Sequence, residues 1–165
     1  MARCVLRPFV ILAFAIVVAR LAEPVRAQAP AAAILGPTLF EAQKALAAAV
    51  ATATKLGVTL SCAVVDSRGD LVALHRMDRA RFFTTDVARG KALASAMFGQ
   101  PSANFAQMGN SAWFQNLNNS AQGRLYPVQG AVPIMRKDQI YGAIGCSGGS
   151  SQQDEEAAKA GLGAL

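Results

Sequence analysis

The spacing of hydrophobic and polar residues along the chain predicts alternating helical and extended segments. Apolar positions recur every three or four residues in the helical segments, whereas β-branched or apolar residues run almost without interruption through the extended ones. In chain order, the pattern predicts a helix over 38–56, a strand pair over 58–66 and 71–77, a helix over 84–99, a strand pair over 132–136 and 139–146, and a closing helix over 151–162.

The stretch between the second helix and the second strand pair is less regular. Residues 101–117 have the pattern of a short helix, an Asn/Gly break and a further helical turn, and 122–127 are interpreted as a loop or a short strand. At the start of the first helix, Thr38 and Glu41 have the spacing of a capping box. No internal repeat or linker interrupts the pattern, which therefore predicts a single α/β (α+β) domain around an antiparallel sheet.

Residues 1–27 have the pattern of a secretory signal peptide. Arg3 and Arg7 form a basic start, an apolar run of eleven residues fills 9–19, and small side chains at Val25 and Ala27 occupy the −3 and −1 positions of a cleavage site after Ala27. Eleven apolar residues are too few to span a bilayer core, which needs about 20. We therefore expect export to the periplasm or the medium, with an Ala/Pro-rich lead-in over 28–37 followed by the domain at 38–165.

The positive charge of the chain is partly carried by this predicted leader. The full sequence has a formal net charge of +6, and cleavage after Ala27 would remove four arginines and one glutamate, which halves it. The remaining charge contains no run of five basic residues, so the sequence does not favour nucleic-acid binding. Several of the remaining arginines instead lie close together between Arg76 and Arg81, which is a pattern typical of local anion capture.

Two cysteines, Cys62 and Cys146, remain after the predicted cleavage. Each lies in a predicted strand, so neighbouring strands could bring them together as a disulfide in an oxidising compartment. Two buried free thiols are the other interpretation, and the sequence leaves both open. The chain lacks C-x-x-C, G-x-S-x-G, H-E-x-x-H and phosphate-loop motifs, so no catalytic residue is assigned and enzymatic activity stays an open question.

Several local strings, taken in order, resemble the GlcG/HbpS-like haem-binding family, which is related to the C-terminal domain of PduO proteins. The matching strings are at 64–74, 76–78, 88–92, 98–102, 130–134, 142–148, 154–155 and 160–161. The resemblance covers nearly all of 38–163 and implies a five-stranded antiparallel sheet flanked by helices, in a homo-oligomer. It further implies haem binding, which in some members accompanies haem degradation or redox sensing.

A histidine and a basic loop supply the residue types that haem requires. His75 is the only histidine in the chain, and alternation along a strand places it on the same face as Met77. The arginines that follow, as candidates for binding the haem propionates, are Arg76, Arg79 and Arg81. The simpler interpretation is a strand-end histidine beside a solvated basic loop. On the haem interpretation, His75 is the first candidate for the iron ligand.

The family resemblance also implicates the segment between the second strand and the next helix, including a threonine. Thr84 and Thr85 match it by location, and capping of the helix that follows is the simpler interpretation, which we favour for at least one of them. Tyr126 and Tyr141 are alternative phenolate ligands, with core or interface packing as their simpler role. The cofactor-binding set predicted from the sequence is therefore His75, Arg76, Met77, Arg79, Arg81, Thr84 and Thr85, with His75 as the metal ligand.

The sequence and the family resemblance together predict an exported, homo-oligomeric protein that binds haem or a similar tetrapyrrole, with haem degradation and redox or haem sensing as the roles that the resemblance offers. It predicts no nucleic-acid partner and no stable insertion into a membrane after cleavage of the leader. An enzyme or enzyme accessory that holds a small organic acid in the basic loop is the alternative, and a structural oligomer without a ligand is a third hypothesis.

Overall fold

The domain is built on a four-stranded antiparallel sheet with helices packed on both of its faces. The structure is a computed structural model, and it describes residues 36–165. The predicted signal peptide and most of the lead-in, up to residue 35, lie outside the described residues. The helices are α1 (Leu39–Lys55), α2 (Thr84–Phe98), α3 (Ala112–Ser120) and α4 (Ser151–Leu162); the strands are β1 (Ser61–Asp66), β2 (Leu71–Arg76), β3 (Ala131–Arg136) and β4 (Gln139–Ser147).

The strand order β2-β1-β4-β3 places the two most buried strands in the centre of the sheet. Every residue of β1 is buried, as its continuous apolar composition predicts. Each predicted hairpin forms an antiparallel pair at one edge, β1 with β2 and β3 with β4, and β1 pairs with β4 across the middle. The predicted α+β class and antiparallel sheet are confirmed.

The expectation of five strands is wrong for residues 36–165. Residues 122–127 do not join the sheet, because Gln122 and Gly123 both have left-handed φ angles, of 58° and 71°. The segment then crosses α2, where the Tyr126 N–H donates to the carbonyl of Gly90 at 3.3 Å. Pro127 has no N–H to contribute to a ladder. This segment therefore covers a helix rather than extending an edge of the sheet.

The face of the sheet that packs against α1 and α4 holds the larger hydrophobic core. Leu46, Val64 and Ile144 are fully buried there. Most of the inward positions of α1 are alanines, and their small side chains let the helix lie close to the sheet. The opposite face packs against α2 through a smaller cluster that includes Val65 and Ala92.

At Gly145 of β4, helix α2 packs tightly against the sheet. A Cβ placed there would lie 2.6 Å from the carbonyl oxygen of Ala88 and 2.7 Å from the amide nitrogen of Ala92. Helix and strand therefore meet backbone to backbone at this point. No residue other than glycine fits without moving the helix.

Cys62 and Cys146 form a disulfide between the two central strands. They are paired in the β1–β4 register, and their Cα atoms lie 4.1 Å apart. Both residues are buried. The sequence left open whether these cysteines form a disulfide or remain as two buried free thiols, and in the structure they form the disulfide.

The capping box predicted at the start of α1 is confirmed, and it connects to the β3–β4 hairpin. The Thr38 N–H donates to the Glu41 carboxylate at 2.7 Å, and the Glu41 N–H donates to the Thr38 hydroxyl at 3.2 Å. The same carboxylate accepts from Arg136, whose guanidinium lies 4.0 Å from the ring centroid of Tyr141. The backbone hydrogen bond from Thr38, followed by that of Arg136, lowers the pKa of Glu41 to about 2.

We expect Glu41→Gln to reduce the loss in the free energy of unfolding that the parent protein shows as the pH falls from about 5 to 2. The low-pH part of this dependence is called the acid limb below. Because the folded pKa of Glu41, about 2, lies below its ordinary value of 4.5, the carboxylate stabilises the fold above about pH 5 and loses this effect as the pH falls towards 2. Glutamine keeps the capping box, and the loss at neutral pH should be about 1 kcal/mol or less because the ion pair is partly exposed. Urea denaturation at a series of pH values from 7 to 2 measures the free energy of unfolding of the parent and the variant.

Glu156→Gln is the matched control, since Glu156 is exposed and makes no hydrogen bond or ion pair within residues 36–165. Its acid limb should follow that of the parent protein. If the acid limb of Glu41→Gln were the same as that of the parent protein, the lowered pKa of Glu41 would not contribute to the loss of stability in acid.

No helix in the described range is both long and apolar enough to cross a membrane.

Candidate functional site

The basic loop, residues 77–83, connects β2 to α2, and local hydrogen bonds hold it in place. Ala80 is buried, and its N–H donates to the carbonyl of Met77 at 3.1 Å. Nε of Arg76 donates to the carbonyl of Ala80 at 3.1 Å, and Arg81 donates to the carbonyl of Gly148 at 3.3 Å. Two of the three arginines predicted to bind haem propionates therefore also hold the loop against the rest of the domain.

His75 lies on the edge strand β2, opposite Cys62 in the register, and it is exposed. Directly paired residues in an antiparallel sheet project to the same face, so His75 is on the face covered by α1 and α4. Met77, two residues later, packs partly against the core of that face, and its sulfur accepts the N–H of Leu60 at 3.4 Å. The structure therefore leaves His75 accessible but engages the sulfur of Met77.

The two threonines occupy the start of α2. The buried hydroxyl of Thr84 donates to the carbonyl of Arg81 at 2.6 Å and lies 2.8 Å from the hydroxyl of Ser61. Ser61 precedes Cys62 on β1, so Thr84 lies on the opposite face of the sheet from His75. The hydroxyl of Thr85 donates to the carbonyl of Phe82 at 3.3 Å. The structure therefore does not bring His75 and Thr84 together within one protomer.

A groove runs along the outer face of α2. Two adjoining pockets, of about 180 and 370 Å³, share Leu93 and Arg124 and together run along the helix under residues 121–126. We call this surface the arginine groove, because it is lined by Arg68, Arg89 and Arg124. Its apolar lining comes from Leu93, Ala96, Met97, Leu125, Ile140 and the ring of Tyr126.

Gly90 allows the 121–126 segment to pass close to α2 at the end of the groove that Tyr126 lines. A Cβ at this position would lie 2.3 Å from Cδ2 of Tyr126 and 2.7 Å from the carbonyl oxygen of Arg124. The bare helix backbone therefore lets the 121–126 segment cross α2 closely, with the ring of Tyr126 resting on it. A glycine in the middle of a helix costs about 1 kcal/mol relative to alanine, so its presence in the sequence signals a close approach of this kind.

The arginine groove carries a surplus of positive charge. Arg89 makes no ion pair or hydrogen bond within residues 36–165, and Arg124 donates only to the backbone carbonyl of Ala121, at 3.0 Å. Arg68 contacts Asp70 at 3.4 Å but is 67% exposed, so solvent weakens that attraction. Asp86 is the one acidic side chain among the lining residues that the structure describes. The groove is therefore suited to an anionic ligand.

The two tyrosines named from the sequence have different surroundings. The hydroxyl of Tyr141 donates to the carboxylate of Glu41 at 3.4 Å, on the far side of the domain from α2. The hydroxyl of Tyr126, in contrast, makes no hydrogen bond to residues 36–165, and its ring lines the arginine groove. Of the two, Tyr126 is thus the phenol that a bound ligand could reach in the groove.

The structure is that of a small α+β domain with a groove whose apolar walls and arginines suit an anionic ligand with an apolar body. The chain belongs to the HbpS-like family: the family model, described as haem degrading protein HbpS-like, matches residues 38–163. This confirms the resemblance identified from the sequence.

Individual relatives agree with this assignment. A 15.0 kDa protein encoded between dhaT and dhaS in Citrobacter freundii is 30% identical over 128 residues, covering 76% of this chain and 89% of the relative. A double mutant of HbpS from Streptomyces reticuli has a TM-score of 0.72 at 29% identity, covering 87% of this chain and 97% of that one. The PduOC–haem complex has a TM-score of 0.72 at 24% identity, covering 79% and 95%, and it supports the shared fold.

Proposed function

We propose that this protein binds haem, and that the arginine groove is the site. The observation that carries the proposal is the combination of apolar walls, three arginines and a free phenol in one groove of a chain that belongs to the HbpS-like family. A relative of the same fold, PduOC, is described as a complex with haem.

The residues of the groove fit the chemical parts of haem. Ligand sites of this kind usually enclose about 300–1,000 Å³, and the two adjoining pockets together reach that range. Leu93 and Met97 offer apolar contact to the macrocycle, and the guanidinium groups of Arg89 and Arg124 suit the two propionates. The Tyr126 hydroxyl is a candidate iron ligand, as tyrosine is in some haem proteins. When bound, haem supplies a redox-active iron, which serves haem degradation and sensing alike.

Export of the protein is part of the proposal. Disulfides persist in oxidising compartments and are rare in the cytosol of most organisms. The Cys62–Cys146 bridge therefore supports the leader predicted at 1–27 and a periplasmic or secreted protein. Assembly into a homo-oligomer is proposed from the family resemblance, and exposed apolar side chains on α1, such as Phe40 at 76% exposure, are consistent with a covered surface.

Titration with hemin, followed by the Soret band, tests the proposal. The parent protein should show a saturable change. Arg89→Gln together with Arg124→Gln should weaken binding by about a hundredfold or more, because each lost charge-assisted hydrogen bond to a propionate is worth about 1.5–3 kcal/mol. Tyr126→Phe removes only the oxygen and should alter the spectrum of the bound iron. Arg136→Gln and Tyr141→Phe, which lie outside the groove, are the matched controls.

Each other result points to a specific alternative. Absence of a saturable change in the parent protein would overturn haem binding. If His75→Ala abolishes the spectrum while the groove variants retain it, haem binds at the edge of β2, as the sequence predicts. If the protein binds a small carboxylate saturably but does not bind hemin, the alternative of an organic-acid site is favoured instead.

A further inference from the structure

The basic loop exposes two adjacent phenylalanines on a fixed turn. Phe82 is 82% exposed and Phe83 is 42% exposed, and their ring centroids lie 5.5 Å apart in an edge-to-face arrangement. Neither ring lines the arginine groove. We propose that this loop is a contact site for an anionic phospholipid surface, with the two rings entering the interface and the neighbouring arginines facing the lipid phosphates.

The exposure of these rings does not come from a loosely held loop. Residues on both sides of them are anchored, since Ala80 is buried and Thr84 is hydrogen-bonded to Ser61 within the domain. The carbonyls of Arg81 and Phe82 accept hydrogen bonds from the two threonine hydroxyls of α2. A turn held this firmly presents the rings to the outside in a fixed position, which reduces the conformational entropy lost on binding a surface.

Positive charge surrounds the rings. Arg79, which has a left-handed φ of 68°, is exposed, and the guanidinium of Arg81 lies 5.5 Å from the centroid of Phe83. Neither arginine forms an ion pair within residues 36–165. Asp78 is the one acidic residue of the loop. Aromatic rings flanked by basic side chains are the combination that binds at the interface of an anionic bilayer.

The charge of the loop favours a lipid surface over a second copy of this chain. A twofold contact between two copies through this loop would bring the same patch to itself, so that arginines would face arginines. Residues 36–165 also carry twelve basic and nine acidic side chains, a surplus that an anionic surface would attract. The lipid phosphates supply the opposite charge, and the acyl region close beneath them supplies the apolar environment for Phe82.

Flotation with vesicles tests the proposal on the purified haem-free protein, with the N-terminus established by mass spectrometry so that an intact leader is recognised. The parent protein should float with phosphatidylglycerol vesicles and remain unbound with phosphatidylcholine vesicles. Arg79→Asn together with Arg81→Gln should reduce the bound fraction at limiting lipid by about tenfold. Phe82→Ser together with Phe83→Ser should cause a similar loss, whereas Trp113→Ser, at an exposed aromatic residue outside the loop, should bind as the parent does.

Hemin titration and size-exclusion chromatography of the same variants separate the remaining outcomes. Unchanged haem affinity in the loop variants, together with lost vesicle binding, supports a lipid site separate from the groove. Equal binding to both vesicle types, or to neither, overturns the proposal. A smaller oligomer in the Phe82→Ser and Phe83→Ser variant, without vesicle binding by the parent, would assign the loop to an interface between copies.

Discussion

Replacing Asp154 with alanine should lower the free energy of unfolding by about 3–5 kcal/mol, because it leaves the ammonium group of Lys91 buried without its partner charge. The two side chains are only 3% and 4% exposed, and Nζ of Lys91 lies 2.8 Å from Oδ2 of Asp154. The same ammonium group donates to the carbonyl of Cys146 at 3.2 Å. Asp154 also accepts the N–H of Gly149 at 3.0 Å, so the substitution removes two interactions.

This buried pair connects three elements of the fold. Lys91 belongs to α2, Asp154 to the first turn of α4, and Cys146 to β4. A Cβ at Gly130 would lie 2.7 Å from Nζ of Lys91, so the loop before β3 closes the site tightly. The substitution should therefore affect how α2 and α4 are held to the sheet, and not only the N-terminus of α4.

Two variants make the measurement specific. Glu156→Ala changes an exposed acid in the same helix and should cost about 0.5 kcal/mol or less. Lys91→Met combined with Asp154→Leu removes both charges and should lose much less stability than Asp154→Ala alone. Urea denaturation followed by circular dichroism measures all three. If Asp154→Ala were as mild as Glu156→Ala, the pair would not have the role inferred from its burial.

Loss of the disulfide should have an effect of similar size. Cys62 and Cys146 are separated by 84 positions in the sequence, and closing a loop of that length is worth about 4.6 kcal/mol in the chain-entropy model. Measured values are typically about 2–4 kcal/mol, so we expect Cys62→Ala together with Cys146→Ala to lose about 3 kcal/mol. Denaturation midpoints and slopes of parent and variant give the difference.

A reduced parent protein is the control for the altered side chains. Unfolding the parent in urea with excess reductant should give a midpoint close to that of the double alanine variant, because both lack the same covalent link. Under non-reducing conditions, the oxidised parent should be lighter than the reduced form by the mass of two hydrogen atoms. A parent protein whose midpoint does not respond to reductant would contradict the stabilising role of the bridge.

Local sequence signals predicted most of the fold. The capping box of Thr38 and Glu41, the two hairpins and the helix bounds depend on interactions between residues that are close in sequence, and such interactions can be recognised from residue types and spacing. The fifth strand was implied by the family resemblance, and the chain itself offered for it only residues 122–127, whose pattern fits a loop as well as a short strand. No fifth strand forms within residues 36–165, because Gln122 and Gly123 turn the chain onto α2.

The arginine groove could not be predicted in the same way. Arg68 follows β1, Arg89 lies on α2 and Arg124 lies in the segment after α3, so only the tertiary fold brings them together. Nothing in their local sequence distinguishes these arginines from solvated ones. The basic loop was noticed instead because its arginines are adjacent in sequence, although two arginines of that region turn out to donate to backbone carbonyls.

The two glycine contacts of α2 restrict how the groove can change in size. At Gly145 the helix already rests backbone to backbone on β4, so it cannot sink further towards the sheet to deepen the groove. At Gly90 the opposite wall of the groove rests on the helix. Selection or engineering for a larger or smaller ligand therefore has two routes: exchange of side chains on α2, or an altered length or sequence of the 121–126 segment, which can move outward into solvent.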